Sequence, residues 1–382
     1  MMIQPGWNGA KRVLSISGGK DSTAMLLHAL EHGYHIDAAV FADTGLEHEL
    51  THEYLDYLER VTGVSIQRVS ADFSKQIARK RETIANKWPE EWKQPYPGYW
   101  SKAKKTITPK PDWQPSSIYQ WQRHGDWIWQ AARPPLNEEE IEKALKTALD
   151  ILHPSGNPFL DLCLWKGRFP SQGARFCTDE LKRDPIMKQV VIPMQDKGFA
   201  VDSWQGIRWE ESPKRATDNM VACQGGGYTI YRPIIHWNVE KVIATHKRHG
   251  VKPNPLYTKG CNRVGCLPCI NVTKAEMAEI ARRYPEQIDK LTKWERLVGL
   301  SSKRGISSFF AVDKIPGPHQ INHGLKMPNV QDVARWAMTG KGGYNIDMFT
   351  ATEEPPQCSS SMGLCDSPTE SVQWIQFAEN AA

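Results

Sequence analysis

The first seventy residues alternate between a strand-like and a helix-like pattern of apolar positions. Short apolar and β-branched runs predict strands, because each is followed by a glycine or an acidic turn. The segments between them carry apolar residues at helical spacing, and Gly33 closes the first of these. The predicted elements are, in order, strand 12–17, helix 21–33, strand 36–42, helix 50–62 and strand 64–69. This alternation predicts an α/β fold with a doubly wound, mainly parallel sheet that binds ligands at the carboxyl ends of its strands.

A different composition begins at residue 87 and continues to 135, where prolines and the basic run KAKKTITPK predict an insertion. Two interpretations stay open for its many tryptophans. They could stack on nucleic-acid bases while Lys102, Lys104, Lys105 and Lys110 bind phosphates, or they could pack a small satellite core, which we favour. In either case the insertion follows the third strand and could act as a lid. Its tryptophans are Trp88, Trp92, Trp100, Trp113, Trp121, Trp127 and Trp129.

The remaining sequence predicts further helices and a loop-rich end. Asn137, followed by three glutamates, predicts a capped helix. A strand is predicted at 197–203, helices at 238–249 and from Lys274, and a flexible tail over roughly the last thirty residues. The predicted segments are 1–86, the first part of the α/β core; 87–135, the insertion; 136–250, the second part of the core; 251–300, a cysteine-rich segment with a helix; and 301–382, a loop-rich C-terminal region.

Composition narrows the class of protein. The chain has 382 residues, 40% of them hydrophobic and 24% charged, and its apolar runs are far shorter than the roughly 18 residues that cross a bilayer. The N-terminal sequence has no signal-peptide pattern, so we expect a cytoplasmic protein without a membrane partner. A net charge of +5 favours polyanionic partners and leaves DNA or tRNA open. Eight cysteines are too few for a disulfide scaffold and favour metal binding or catalysis.

The hexapeptide SGGKDS stands where the first strand passes into the first helix. Its two glycines allow a tight turn, and the free N–H groups of the helix start would face an anion. The lysine adds a positive charge and the serines add donors, whereas the aspartate could position Mg²⁺ or cap the helix. The loop predicts a pyrophosphate site, and a simple capped glycine turn is the weaker alternative in this context. Its residues are Ser17, Gly18, Gly19, Lys20, Asp21 and Ser22.

This hexapeptide resembles the signature of the PP-loop ATP pyrophosphatases, whose fold is adenine nucleotide α-hydrolase-like. The resemblance implies binding of ATP and cleavage between its α- and β-phosphates, or binding of a related adenylyl nucleotide. Asp43, Thr44 and Gly45 look like the family's DTG segment, which closes around the adenosine part. Asp43 would lie near the ribose or a metal, although a helix N-cap competes with that role. Lys20, Asp21 and Asp43 are therefore the catalytic candidates of the nucleotide site.

A third segment, GIRWEESPKR at 206–215, resembles the G-x-R-x-x-E-S-x-x-R segment of phosphoadenosine phosphosulfate reductase relatives. It makes Arg208 and Arg215 candidates for phosphate or sulfate contact, because the guanidinium fork suits bidentate binding. A salt-bridged surface turn is the alternative. Over roughly 12–75 and 172–275, the chain is thus similar to the phosphoadenosine phosphosulfate reductase-like family within the PP-loop superfamily.

Cys261, Cys266 and Cys269 form a CxxxxCxxC run with glycine and proline between the thiols, so several sulfurs can face one point. The resemblance supplies a fourth ligand. Iron–sulfur adenylyl-sulfate reductases pair an upstream Cys-Cys-x-x-R-K-x-x-P-L segment with a downstream Gly-Cys-x-x-Cys. Here Cys177 stands in the upstream segment with Phe176 in place of the first cysteine, and Cys261 is an extra cysteine ahead of the downstream pair. The set looks closer to the iron–sulfur subunit of DNA phosphorothioation systems and implies a [4Fe-4S] cluster. Zn²⁺ stays open because spacing alone does not separate the two, and buried free thiols are the weakest alternative.

Cys358 and Cys365 lie in a serine- and glycine-rich tail. Thiol-dependent sulfonucleotide reductases carry their nucleophile in a C-terminal Glu-Cys-Gly-Leu segment, which this tail matches only through Gly363-Leu364. A mobile thiol there could attack a sulfonucleotide or carry a persulfide, and incidental cysteines are the alternative.

Three functions follow from the resemblance. We prefer an ATP-using adenylating enzyme with a cluster, acting in sulfur transfer or nucleic-acid modification with a sulfur donor as partner. The second is a phosphoadenylyl- or adenylyl-sulfate reductase that uses a tail cysteine and thioredoxin. The third is a non-catalytic, nucleotide-sensing subunit of a complex. The intact SGGKDS loop favours the first, because a sulfonucleotide reductase has no leaving pyrophosphate.

Overall fold

The chain folds into two compact units. The computed structural model describes residues 9–102, 109–114, 121–124, 127–130, 132, 134–212, 215–310, 314–315 and 328–340. Unit 1 takes its described residues from 9–71 and 176–269, and unit 2 takes them from 72–175 and 270–340. Unit 2 therefore begins within the predicted first core segment and also contains 136–175, which the sequence assigned to the core.

The elements are numbered in chain order. The strands are β1 (Lys11–Ser15), β2 (Ala38–Asp43), β3 (Ile66–Ser70), β4 (Tyr99–Lys102), β5 (Trp121–His124), β6 (Trp127–Gln130), β7 (Val201–Gln205), β8 (Val221–Gly225) and β9 (Tyr228–Tyr231). The helices are α1 (Lys20–Glu31), α2 (Glu49–Thr62), α3 (Ser74–Trp92), α4 (Glu138–Ile151), α5 (Pro158–Lys166), α6 (Phe176–Thr178), α7 (Asp184–Ile186), α8 (Ile192–Gln195), α9 (Val239–Arg248), α10 (Pro255–Thr258), α11 (Lys274–Arg283), α12 (Pro285–Leu300) and α13 (Val330–Ala337). Two π-helical turns, Asp179–Arg183 and Met187–Val191, connect α6, α7 and α8.

The sheet of unit 1 has the strand order β3-β2-β1-β7-β9-β8. Its first five strands are parallel to their neighbours, and only the edge strand β8 runs antiparallel. The predicted mainly parallel α/β fold is confirmed. After β1 the chain adds β2 and β3 on one side, whereas β7 pairs with β1 on the other. The strand order therefore reverses beside β1, and such a switch point is where open α/β sheets bind ligands.

Both faces of this sheet are covered by apolar side chains. Successive residues of a strand point to opposite faces, so β1 serves two cores at once. Leu14 packs in a cluster with Met25 of α1 and Leu55 of α2. Its neighbour Val13 packs on the other face in a cluster with Val191. This double coverage explains why β2, with the sequence AAVFAD, is apolar up to its last residue, as is typical of parallel sheets.

The helical segment from α6 to α8 was not predicted from the sequence. It contains Pro185 and Pro193, which lack the N–H that a regular helix uses. The backbone widens instead of breaking: Asp184 N donates to Asp179 O and Ile192 N donates to Met187 O, both five residues back. Such π-helical turns are frequent at functional sites.

Unit 2 is mainly helical. Helix α3 packs against α4 and α5, and α12 packs against α4, α5 and α13. Asn137 caps α4 in a capping box with Glu140, as the sequence predicted. The predicted border at residue 87 falls inside α3, because Trp88 is a buried position on that helix. The region after 301, expected to be loop-rich, also holds α13, whose core face the sequence analysis overlooked.

A small antiparallel sheet of order β4-β6-β5 occupies the middle of the tryptophan-rich insertion. Trp100 and Trp129 are buried with their ring centroids 5.4 Å apart, and the ring of Trp113 lies 5.2 Å from that of Trp100. These contacts favour the packing interpretation for Trp100 and Trp129, whereas Trp113 is 43% exposed. Among the residues that the structure describes, no helix is both long and apolar enough to cross a membrane.

A buried carboxylate connects three parts of unit 2. Glu295 of α12 accepts hydrogen bonds from Phe309 N at 2.7 Å and from Val330 N, the first residue of α13, at 3.0 Å. Burial raises the pKa of Glu295 from 4.5 to about 7. The folded state therefore binds more protons than the unfolded state between these values, and the contribution of Glu295 to stability falls as the pH rises through this window.

We expect Glu295→Gln to flatten the pH dependence of the melting temperature between about pH 4.5 and 7. The neutral amide keeps an acceptor for the two N–H groups but does not ionise, and the pH-dependent part is at most about 3 kcal/mol. Thermal denaturation of both proteins across this range tests it, with Glu286→Gln, an exposed position on the same helix, as control. An unchanged slope in Glu295→Gln would contradict the assignment.

Candidate nucleotide and cysteine site

The SGGKDS loop forms a tight turn between β1 and α1. Gly18 has a φ of +71°, a conformation that favours glycine, and a Cβ there would meet Thr51 at 3.0 Å. Ser22 Oγ accepts from Ser17 N at 3.1 Å and lies 3.0 Å from Ser17 Oγ. Gly19 is the N-cap of α1 and has no side chain to occupy the helix start. The loop thus forms the predicted tight turn between a strand and a helix, and pyrophosphate binding there stays a prediction.

Three residues from distant parts of unit 1 support this loop. Asn254 Nδ2 donates to Gly18 O at 3.1 Å, and the hydroxyl of Tyr257 accepts from Lys20 N at 3.0 Å. His246 Nε2 lies 2.8 Å from Lys20 O. Burial lowers the pKa of His246. Sequence reasoning missed all three; the only available signal was Asn254-Pro255, a helix-start pair that could have marked α10.

The charged residues of the loop belong to a buried network. Lys20 is buried and its Nζ lies 3.3 Å from Asp21 Oδ2. Arg208, which follows β7, donates from Nε to Asp21 Oδ1 at 2.5 Å and from Nη1 to Glu210 at 2.8 Å. The structure therefore brings Lys20, Asp21 and Arg208 together at the switch point between β1 and β7. Asp21 does not cap α1, since its carboxylate is bound by two cations.

Arg215 forms an ion pair with Glu211. Glu211 Oε1 in turn accepts from Arg208 N at 3.0 Å. Both arginines pair with carboxylates here, which fits the alternative of a salt-bridged turn, and Arg208 Nη1 also donates to Trp237 O at 3.3 Å. Contact of Arg208 and Arg215 with phosphate or sulfate stays a prediction.

Gly206 directly follows β7 and lies against the backbone of α1. A Cβ at Gly206 would lie 2.7 Å from Ser22 Cα and 2.8 Å from Ser22 N, and backbone atoms cannot move aside as a side chain would. We expect Gly206→Ala to lower the free energy of unfolding by about 1–3 kcal/mol and to weaken nucleotide binding. Urea denaturation with Gly173→Ala as control, where a Cβ meets nothing within 4 Å, measures the difference. Equal stabilities would show that the loop is not held by this contact.

The DTG turn follows β2 at the same edge of the sheet. Asp43 Oδ1 accepts from Gly45 N at 2.8 Å and so shapes the turn itself. The N-cap of α2 is His48, so the N-cap interpretation of Asp43 was wrong. Thr44 is buried, and its hydroxyl donates to the carboxylate of Glu47 at 2.7 Å. Glu47 is also buried, and the sequence analysis did not single it out.

The cysteine run lies against this turn. Glu47 and Cys266 form an isolated antiparallel bridge, and Leu267 N donates to Leu46 O at 2.9 Å. Cys266 Sγ lies 3.5 Å from Thr44 Oγ1 and 3.9 Å from Glu47 Oε1. The adenosine-binding segment expected from the resemblance and the cysteine run are therefore neighbours in unit 1.

Lys182 stands among the cysteines. The Cys266 sulfur raises the pKa of Lys182 against the effect of burial, and Glu47, Cys269 and Cys177 act in the same direction. Burial raises the pKa of Cys177, with Cys269 as the next cause. Cys177, Cys266 and Cys269 thus share one electrostatic environment with one lysine. Because Lys182 lies in a π-helical turn, no helical periodicity in the sequence points to it.

Other cysteines have different places. Cys261 is buried, and its N–H donates to Leu256 O at 3.0 Å. Cys163 is buried in α5 and Cys223 is exposed on β8. Cys358 and Cys365, the predicted nucleophiles of the tail, lie outside the described residues.

The parallel sheet and the glycine-rich loop at its carboxyl edge define an α/β protein of PP-loop type. A family model for the phosphoadenosine phosphosulfate reductase domain matches residues 11–111 and 162–272, more than half of the chain. The chain therefore belongs to the phosphoadenosine phosphosulfate reductase domain family, as the motifs predicted. The match covers the SGGKDS loop, the DTG turn and Arg208, together with Cys177, Cys261, Cys266 and Cys269.

Individual relatives differ in how much they share. An uncharacterized 37.8 kDa protein of Escherichia phage 186 is 42% identical over 366 residues, 93% of this chain and 96% of that protein. An adenosine 5'-phosphosulfate reductase of Streptomyces coelicolor is 35% identical over 106 residues, 26% of this chain and 45% of that enzyme. A phosphoadenylyl-sulfate reductase structure from Candida auris, a phosphate complex, covers 68% of this chain and 82% of its own at 12% identity and a TM-score of 0.34. The chain thus spans less than half the length of the Streptomyces reductase.

Proposed function

We propose that this chain is an adenylating enzyme that binds ATP at the SGGKDS loop and releases pyrophosphate. The observation that carries the proposal is the loop itself. The start of α1 carries no capping side chain, Lys20 is buried beside it, and the turns after β2 and β7 converge on the same edge. Backbone N–H groups at such a helix start, together with a lysine, match the charge of a pyrophosphate.

The chemistry follows from this arrangement. An oxygen of the acceptor attacks the α-phosphorus, a new P–O bond forms, and the bond from the α-phosphorus to the bridging oxygen breaks. Pyrophosphate leaves with that electron pair, and Lys20 with the N–H groups of the loop stabilises its charge. Asp21 and Asp43 would hold Mg²⁺, which neutralises phosphate charge when bound. Arg208 and Lys20 fix the orientation of Asp21 for that role.

We further propose that Cys177, Cys261, Cys266 and Cys269 hold a [4Fe-4S] cluster next to the nucleotide. Three of the four share the electrostatic environment of Lys182, and a cationic group there would offset the negative charge of a thiolate-ligated cluster. Zn²⁺ held by the same four thiolates is the alternative, and analysis of iron, sulfide and zinc separates the two.

A reductase is the second candidate, because the matched family is named for it and a named relative is an adenosine 5'-phosphosulfate reductase. In that reaction a thiolate of Cys358 or Cys365 attacks the sulfonate sulfur, a S–S bond forms and the S–O bond to the nucleotide breaks, so that AMP leaves. A thioredoxin dithiol then reduces the thiosulfonate to the thiol and sulfite and is itself oxidised to a disulfide.

Binding and turnover separate these candidates. Titration calorimetry with ATP and Mg²⁺, adenylyl sulfate and pyrophosphate comes first, followed by assays of AMP and sulfite release. Tighter binding of ATP than of adenylyl sulfate, with competition by pyrophosphate, supports the adenylating enzyme. Tighter binding of adenylyl sulfate and thioredoxin-dependent sulfite release would replace it with the reductase. Binding of ATP without AMP formation for any acceptor tried would favour a nucleotide-sensing subunit.

A further inference from the structure

Two basic turns meet in unit 2, far along the chain from each other. The first, Lys166-Gly167-Arg168, begins at the last residue of α5, and the second, at 302–305 with the sequence SKRG, follows α12. Both line one cavity of about 400 Å³. Lys80 of α3 joins them, because its Nζ donates to Leu164 O and to Ser301 O, which lie at the ends of the two helices.

The charge of this cavity is one-sided. None of the described residues that line it is acidic, whereas five are basic; these are Lys80, Lys166, Arg168, Lys303 and Arg304. Cations at the C-terminal end of a helix offset the helix dipole. This role explains the positions of Lys80 Nζ and of Lys166, which lie at such helix ends. Arg168 and Arg304 lie beyond the last turns and are exposed. The helix dipoles therefore do not account for these two arginines. Their positive charge favours binding of a phosphate group in the cavity.

A second cavity of about 740 Å³ adjoins the first and shares Ser302, Lys303 and Arg304 with it. Its other walls include Trp92 and Tyr96, and the side chain of Tyr96 is 43% exposed. Glu91 and Glu140 are its acidic lining residues, and Glu91 is paired with Lys303. The cationic cavity thus continues into a cavity with accessible aromatic rings. Proteins that bind single-stranded nucleic acid combine these two features, because cations bind the phosphates and aromatic rings stack on unpaired bases.

We propose that these two cavities bind a segment of single-stranded nucleic acid, with a phosphate at Arg168 and Arg304 and a base against Tyr96. The site lies wholly within unit 2 and uses none of the residues of the nucleotide site. Its cations also differ from the lysines that the sequence analysis considered for base stacking in the insertion. Nucleic-acid binding at this site is distinct from adenylation and can be measured without ATP.

The experiment uses the full-length protein and a fluorescently labelled single-stranded DNA of mixed sequence, and measures anisotropy between about 50 and 200 mM salt. We expect the double substitution Arg168→Ala/Arg304→Ala to weaken DNA binding at least about tenfold at the lowest salt concentration. Because each lost phosphate contact on a single strand removes about 0.7 from the slope of log K against log salt, the slope should fall by about 1.4. Tyr96→Ala should weaken binding about fivefold or more without changing the slope.

The matched control is Arg282→Ala/Arg335→Ala, which removes two arginines of α11 and α13 in the same unit that line neither cavity. Equal losses in both double variants would overturn the proposal, because binding would then report only net charge. Equal or tighter binding of a duplex of the same sequence would overturn it as well. So would binding of inorganic phosphate or pyrophosphate at these arginines without binding of the oligonucleotide. Melting curves confirm that each variant is folded.

Discussion

A Cys266→Ser variant purified without oxygen is expected to contain at least about tenfold less iron and acid-labile sulfide than the unchanged protein. Replacing residues that merely orient metal ligands already costs 10- to 100-fold in affinity, so removing a ligand should cost no less. The hydroxyl of serine is also a harder and less acidic donor than a thiol. Chemical assay of iron, sulfide and zinc, together with the visible absorption spectrum, measures the result. Cys177→Ser should behave in the same way.

Cys223→Ser provides the matched control, because Cys223 is an exposed cysteine on β8 of the same unit. It should keep the full iron content. Stoichiometric zinc without colour in the unchanged protein would show that the four thiols form a zinc site. The adenylation proposal would survive that outcome, since it depends on the SGGKDS loop and not on the metal.

Lys20→Ala is expected to raise the dissociation constant for ATP by roughly 10- to 100-fold, because a hydrogen bond to a charged group contributes about 1.5–3 kcal/mol. The substitution also removes one cationic partner of Asp21 and leaves Arg208 paired with it, so the phosphates meet a less positive loop. Titration calorimetry with ATP and Mg²⁺ gives the affinity, and release of AMP gives the turnover.

Lys11→Ala is the control for this effect. Lys11 begins β1, and its side chain is partly exposed and paired with Asp37. The Lys11→Ala substitution therefore removes the same charge without changing the loop. It should bind ATP with unchanged affinity. If Lys20→Ala bound ATP as tightly as Lys11→Ala does, the loop would not be the phosphate site.

The strands and helices up to residue 70 could be predicted to within one or two residues in most cases. Their periodic patterns are local, and glycine or acidic turns separate them. The SGGKDS loop and the DTG turn were equally visible, because each is a contiguous run at the end of a strand. The α6–α8 segment was not, because its two prolines and its β-branched run argue against a helix, whereas in the structure Val190 and Val191 pack in the core cluster that contains Val13.

The contacts of the site were beyond sequence reasoning for a different reason. Tyr257 and Asn254 support the phosphate loop from more than 230 positions away, and Lys182 reaches the cysteines from a π-helical turn. Such pairs are brought together by the topology of the sheet and leave no periodic signal. The contact between Glu47 and Thr44 is local in the sequence. The burial of Glu47 beside Cys266, in contrast, depends on the packing of the distant cysteine run against the DTG turn.

The position of β7 beside β1 has a consequence for the synthesis of the protein on the ribosome. Lys11–Ser15 pairs with residues 201–205, which are made nearly 190 residues later. At about 5–20 residues per second, roughly 10 to 40 s pass before that partner exists. During this time β1 can pair with β2 but has an open edge that invites other strands. We expect the nascent chain to depend on chaperones over this interval, and residues 72–175 of unit 2 are synthesised within it.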